Sequence, residues 1–170
     1  MAEATAGVEI SGTRRQFIRW SFWAAVALAS AEIGATGLVF MMPRLRAGAF
    51  GSLVNIGPLD LVLENLPEGA VPDYFRESRF YLSHIEDGLL ALYRKCVHLG
   101  CVVPWNEEED QFHCPCHSSL YNRKGEVLGG PAPRPLDIMA IRVDDDGNLL
   151  VDTRTITQRS AYSPDQAFPV

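Results

Sequence analysis

The chain has no run of basic residues, no internal repeat and no low-complexity segment. Its 15 lysines and arginines are outnumbered by 21 acids, for a formal net charge of −6, and an acidic surface without a basic stripe is poorly suited to gripping phosphate backbones. Nucleic acid is thereby excluded as a partner. Apolar residues are not scarce, at 47%, which excludes wholesale disorder. The length of 170 residues allows one domain of ordinary size, about 100–150 residues, plus an appendage. Charge is missing locally: 20–42 contains a single charged residue, Glu32, whereas the remainder reads as a polar globular domain.

Twenty-three residues at about 1.5 Å per residue give roughly 34 Å of helix, enough to cross a hydrocarbon core of about 30 Å. The segment 20–42 is therefore expected to be a transmembrane helix. Ala29-Ser30-Ala31 fits a small-x-small cleavage pattern, but 33–42 continues apolar where a trimmed soluble protein would turn polar, so an uncleaved anchor is expected. Ahead of it, Thr13-Arg14-Arg15-Gln16-Phe17-Ile18-Arg19 resembles the twin-arginine export signal; the alternative is a positive flank that holds the amino end inward. Both readings place 1–19 on the cytoplasmic side of a cell membrane, crossed once, and the head outside. Glu32 falls mid-membrane, where an ionised acid on a lone helix costs on the order of 3 kcal/mol, and the small residues Ala27, Ser30, Ala31 and Gly34 let another helix approach. A partner helix is expected there.

From 43 to 58 breakers accumulate (Pro43, Gly48, Gly51, Gly57, Pro58), and this stretch is expected to be a hinge leading into a head over 59–170. The head reads as antiparallel β. Apolar runs flank Glu86-Asp87-Gly88 and Asp144-Asp145-Asp146-Gly147, as in hairpins, and no long helical period follows residue 60 apart from a turn over 73–78.

All four cysteines and two of the four histidines fall in two boxes, Cys96-Val97-His98-Leu99-Gly100-Cys101 and Cys114-Pro115-Cys116-His117-Ser118-Ser119. Reduced to spacing this is C-x-H, then fifteen residues, then C-x-x-H, with one further cysteine in each box. Two loops that each present a thiolate and an imidazole can grip one metal centre between them. Structural zinc would use the same ligand types but leaves the additional cysteines unexplained. Those two could be free thiols or a disulfide.

The boxes resemble those of Rieske iron–sulfur proteins. The likeness extends to Val102-Val103-Pro104-Trp105-Asn106, Phe112-His113, Tyr121-Asn122, Gly125-Glu126-Val127 and Gly130-Pro131-Ala132-Pro133, and is nearest to the membrane-bound, quinol-oxidising versions of chloroplast-type and bacterial cytochrome bc-type complexes. It implies an all-β Rieske head, made of antiparallel sheets with a small cluster-binding subdomain over about 94–135, on one amino-terminal transmembrane helix. It also implies one 2Fe-2S cluster per chain, with Cys96 and Cys114 on one iron and His98 and His117 on the other. By the same resemblance Cys101 and Cys116 form a disulfide, which agrees with an exported head. Ser119 donates a hydrogen bond to a bridging sulfide and Tyr121 one to Cys96; Leu99 shields the cluster near the quinone, and the loop from Gly130 and Pro131 to Pro133 covers its other side.

Two neutral imidazoles in place of two thiolates raise the potential from about −400 mV toward about −150 to +300 mV, a range suited to oxidising a quinol. A ligand histidine can take up a proton as an electron arrives, which makes His98 and His117 the expected catalytic groups. The implied function is the electron-transfer subunit of a membrane quinol–cytochrome c (or plastocyanin-like acceptor) reductase and translocase, with quinol, a cytochrome b-type subunit and a c-type cytochrome as partners. The alternative is the Rieske small subunit of an arsenite oxidase, disfavoured by the Gly-Pro-Ala-Pro loop, Ser119 and Tyr121. Two positions depart from the family: Ser118 where glycine is common, and Val97 where threonine is common. His84 and His113 are expected to be strand residues without cofactor roles, Tyr93 and Trp105 to be packing residues, and 154–170 to be a surface strap or subunit contact.

Overall fold

The computed structural model describes residues 12–42 and 49–170, which fall into two compact units. The first is one helix, α1 (Arg14–Met41), long and apolar enough to cross a membrane. It starts six residues ahead of the expected span because nothing over 14–19 breaks it. Thr13 opens it, its carbonyl accepting from the Phe17 amide at 3.0 Å and its own amide donating to Gln16 Oε1 at 3.1 Å. Of the residues assigned to the cytoplasmic arm, 1–11 lie outside those described, as do 43–48 of the expected hinge.

The second unit, the head, is built on a six-stranded antiparallel sheet. Its strands are β1 (Leu53–Pro58), β2 (Asp73–Phe75), β3 (Phe80–Ile85), β4 (Gly88–Tyr93), β9 (Ile138–Val143) and β10 (Asn148–Thr157), in the order β1-β10-β9-β4-β3-β2. Both acid-glycine turns close hairpins, with Ile85 opposite Gly88 and Val143 opposite Leu149. Between β4 and β9 the chain leaves the sheet and builds a second one from β5 (Trp105–Asn106), β6 (Gln111–His113), β7 (Leu120–Tyr121) and β8 (Val127–Gly129). Both boxes lie on this excursion.

Three sequence expectations need correction. Residues 53–58, expected in the hinge, are edge strand β1, because Leu53 and Val54 pair with Asp152 and Val151 of β10 and a bulge at Ile56 absorbs the break before Gly57. The 73–78 turn begins as strand β2, paired with β3. The head also contains a helix, α2 (Leu59–Asn65), which buries Val62 and, just past its end, Leu66. Leu59, Val62, Leu63 and Leu66 follow i, i+3, i+4, i+7 spacing, a signal too short to stand out in the sequence.

Strands β3 and β4 are buried on both faces. Phe80, Leu82, Leu89 and Ala91 face one core with Val62, Leu66, Met139, Leu149 and Val151; Tyr81, Ile85, Leu90 and Leu92 face another with Cys96, Phe112, Cys114, Tyr121 and Leu136. The central hairpin is thus the floor on which the box-bearing sheet sits. The tail straps this arrangement. Phe168 exchanges two 2.8 Å hydrogen bonds with Leu89. The buried Arg159 donates from Nε to the Leu136 carbonyl at 2.7 Å, from Nη1 to Gln166 at 3.0 Å and from Nη2 to the Lys124 carbonyl. Burial lowers its pKa to about 10, still far above neutrality, so it stays a cation.

The strap's closeness can be measured at Gly88, where a Cβ would stand 2.0 Å from the Phe168 carbonyl oxygen, whereas at Gly147, another left-handed glycine, nothing lies within 4 Å. Gly88→Ala should cost about 2–4 kcal/mol through overpacking and backbone strain, and Gly147→Ala only about 1 kcal/mol through strain. Denaturant titration of the two variants checks this; equal losses would show that the tail gives way freely.

Candidate metal centre

The two boxes fold as near copies of one turn. In the first, the Cys96 amide donates to the Cys101 carbonyl at 2.8 Å and the Gly100 amide to the Cys96 carbonyl at 2.9 Å. In the second, the Cys114 amide donates to the Ser119 carbonyl at 2.9 Å and the Ser118 amide to the Cys114 carbonyl at 3.0 Å. Cys96 thus corresponds to Cys114 and Gly100 to Ser118. Both members of the latter pair are left-handed, at φ 85° and 55°, so the turn itself drives Ser118 into a conformation that favours glycine. The signal was present as Cys-x3-Gly-Cys against Cys-x3-Ser-Ser, hidden because the second cysteine shifts between the boxes.

The four cysteines divide by chemistry. Cys101 and Cys116 form a disulfide that joins the loops, with Cα atoms 6.7 Å apart, while Cys96 and Cys114 are buried free thiols. Oxidised sulfurs are closed to ligation as thiolates, so only Cys96 and Cys114 offer anionic donors. The His98 and His117 rings lie 4.9 Å apart and nearly perpendicular, His117 exposed and His98 half-buried. Two thiols inside and two imidazoles toward solvent therefore converge from two loops, and these four residues could hold a metal group.

Two buried hydroxyls surround the thiols. Tyr121, fully buried, places Oη 3.2 Å from Cys96 Sγ. Burial opposes ionisation of Cys96, but the hydrogen bond from Tyr121 and the amide of His98 outweigh it, and the thiol falls below its ordinary range. Burial, then the Cys96 sulfur, pushes the Tyr121 phenol up, so it remains a donor. Burial and neighbouring Cys96 push Cys114 up. Ser119 is also fully buried; its hydroxyl favours the Cys96 thiolate electrostatically, yet its geometry makes no hydrogen bond to any described residue. A buried hydroxyl without a partner costs about 1–3 kcal/mol, and one close enough to influence the Cys96 thiol fits a group seated between the loops that carries acceptors of its own. The donor set and this orphaned hydroxyl both fit an iron–sulfur cluster.

Leu99 projects from the tip, 70% exposed. Gly130 (φ 86°) backs onto the second box so closely that a Cβ would lie 2.4 Å from the Ser118 carbonyl oxygen, and the exposed Pro131 follows. His84 and His113 are turned elsewhere, with Nδ1 2.7 Å from the Leu66 carbonyl oxygen and 3.0 Å from Glu109 Oε2. Trp105 packs edge-on to Phe112 and Tyr93 stacks on Phe50. Sequence reasoning missed Arg159, whose main-chain acceptors leave no mark in the sequence, and Lys95, whose stem crosses Gly100.

Residues 63–142 match the Rieske [2Fe-2S] domain. Subunit 1 of the iron–sulfur subunits of the cytochrome b6-f complex of Synechocystis is 34% identical over 165 residues, covering 91% of this chain and 93% of its own. A Nostoc relative, cytochrome b6-f complex iron-sulfur subunit 2, is 35% identical over 150 residues, covering 80% and 83%. Among solved structures, the plasma membrane Rieske protein of Synechocystis is 27% identical with a TM-score of 0.38, covering 58% of this chain and 97% of that one.

The left-handed serine makes a prediction of unusual sign for a site residue. Ser118→Gly should stabilise the head by about 0.5–1 kcal/mol, the relief of left-handed strain exceeding the added freedom of the unfolded chain. Ser118→Val should destabilise it. Thermal unfolding in detergent decides, and a Ser118→Gly variant less stable than the parent would show that the hydroxyl, not the backbone, holds the turn.

Proposed function

Because the chain belongs to the Rieske iron–sulfur subunits of cytochrome b6-f and bc-type complexes, we propose that it takes one electron and one proton from a quinol and passes the electron to a c-type haem. The observation that carries this reading is the split between buried thiols and outward imidazoles at one tip. Cys96, Cys114, His98 and His117 would hold the 2Fe-2S cluster. When bound, a cluster with mixed thiolate and imidazole ligands supplies a one-electron acceptor at about −150 to +300 mV.

Everything else is the work of the chain's own side chains. Tyr121 donates to Cys96 Sγ and Ser119 offers its hydroxyl beside it, and donors of this kind favour the more negative, reduced state. Leu99 presents an apolar surface to the quinol and keeps water from the tip. An imidazole nitrogen of His98 or His117 receives the quinol's hydroxyl proton, which the accessible ring edge of His117 allows. The loop at Gly130 and Pro131 closes the far side of the second box. The disulfide holds the loops together as the charge between them changes.

The helix α1 and the membrane-complex relatives support anchoring in a membrane. Arg14 and Arg15, as a twin-arginine pair or a positive flank, support an amino end in the cytoplasm and a head on the opposite side, where a disulfide survives. A cytochrome b-type subunit supplies the quinol site and meets the small-residue face of α1, with Glu32 against a polar group of that partner. The arsenite oxidase reading gains no support from the relatives named above, both of them cytochrome b6-f subunits.

Electron paramagnetic resonance of dithionite-reduced membranes, with and without a quinone-site inhibitor, tests this. A Rieske-type signal that shifts with the inhibitor is expected; Tyr121→Phe and Ser119→Ala should each lower its midpoint potential, and in all three proteins the potential should fall at high pH, by up to about 59 mV per unit for one proton per electron. A purified protein holding zinc without iron or acid-labile sulfide would end the reading. We further propose that the segment ahead of β1 is the swinging linker. Lengthening it or stiffening it with prolines near 47–49 should slow turnover of the complex several-fold with the midpoint potential unchanged; unaltered turnover would remove the swing.

A further inference from the structure

A cleft of about 440 Å³ opens beside the first box, between it and the base sheet, lined among others by Lys95, His98, Leu99, Arg134, Asp137 and Gln158. We propose that this cleft is a seat for a carboxylate on the protein that accepts the electron, with Lys95 as its cation. The proposal rests on the reading of the chain as donor to a c-type haem protein.

Three observations carry it. Lys95 lies along the box itself: a Cβ on Gly100 would stand 2.7 Å from Lys95 Cε and 3.7 Å from Nζ. Its stem therefore crosses the turn two residues from His98, and the left-handed Gly100, φ 85°, serves both the turn and the lysine's passage. The cleft's charges do not cancel. Arg134 is paired with Asp137, through Nη1 to Oδ1 and through Nη2 to Oδ2 at 3.3 Å, while no acid among the described residues pairs with Lys95. One net positive charge thus stands beside the electron's exit on a chain whose formal net charge is −6. The cleft is also small, and Gln158 and Tyr93 complete its lining.

A lone ammonium over a shallow, mixed-polarity cleft matches one carboxylate rather than a polyanion. Such a pair across an interface steers encounter and fixes register more than it adds affinity. It would set the head's orientation on the acceptor so that the histidine edge faces the haem, a task the apolar tip around Leu99 cannot perform because apolar contact is non-directional.

The test uses the assembled complex from detergent-solubilised membranes. A carbodiimide, which condenses an amine with a carboxylate into an amide with loss of water, should join this subunit to the c-type cytochrome. Mass spectrometry should locate the link at Lys95, and Lys95→Gln should lose it. Haem reduction by the reduced head should slow about 3–10-fold in Lys95→Gln and more in Lys95→Glu at low ionic strength, with Lys95→Arg near wild type and the differences gone at high salt. Midpoint potentials are measured on all four proteins. The seat is overturned if the cross-link persists in Lys95→Gln, if Lys95→Glu delivers electrons as fast as wild type, or if each rate simply follows a lowered potential. A wild-type complex that never reduces a c-type haem would instead overturn the donor reading, and the seat with it.

Discussion

Two sulfurs bound to each other and two left free divide the four cysteines of this chain, and the head depends on that division. The disulfide joins the two loops at Cys101 and Cys116, so the thiols of Cys96 and Cys114 and the rings of His98 and His117 are held in one place although twelve residues separate the boxes. Two loops brought together without a covalent tie would repel once each carried a thiolate. The tie also needs the loops to match, and they do: the same pair of main-chain hydrogen bonds closes each, and the same left-handed position ends each turn. Ser118 is the one place where the match is strained.

The rest of the head makes this pair of loops stiff. Its central hairpin, β3 with β4, is apolar on both faces because it is covered twice, by α2 and the β1–β10–β9 side on one face and by the inserted sheet on the other. Tyr121 and Phe112 reach from the inserted sheet into the shared core with Tyr81 and Leu92, so the side chain whose hydroxyl meets Cys96 is rooted in the packing of the whole domain. A donor fixed in that way holds its distance to a sulfur when the charge there changes, which is what preorganised electrostatics requires.

Much of this was legible in the sequence, for reasons that differ by element. The cysteine–histidine boxes were plain because a Rieske domain needs particular residues at short spacing, and the two hairpins because an acid-glycine turn is a local signal. What escaped was decided at long range. β1 lies in a stretch of glycine and proline and is a strand only because β10 offers it an edge almost a hundred residues later. α2 is two turns long, and its four apolar residues read equally well as a strand. Arg159 sits in a tail without periodicity, and its partners at Leu136 and Lys124 are carbonyl oxygens that any residue would have supplied. Function confined to a loop is written locally, whereas the support of that loop is written in the packing.

That contrast also sorts the polar groups of the head. Around the tail strap they are satisfied and enclosed: Arg159 spends its donors on two carbonyls and Gln166, and Tyr162 donates to Asp87 beneath the Lys124 cation. At the box end the order reverses. Leu99 and His117 face solvent, and among the described residues Ser119 keeps a buried hydroxyl without a partner and Lys95 has no paired acid. The exposed leucine, histidine and lysine are hydrated and cost little, whereas the buried hydroxyl costs about 1–3 kcal/mol, which a Rieske cluster seated between the loops would remove. Satisfied polar groups thus gather at the strap, and unpartnered or exposed ones around the two boxes. A head that carried its unsatisfied groups at the strap instead would be as stable in sum and would have no end at which to react.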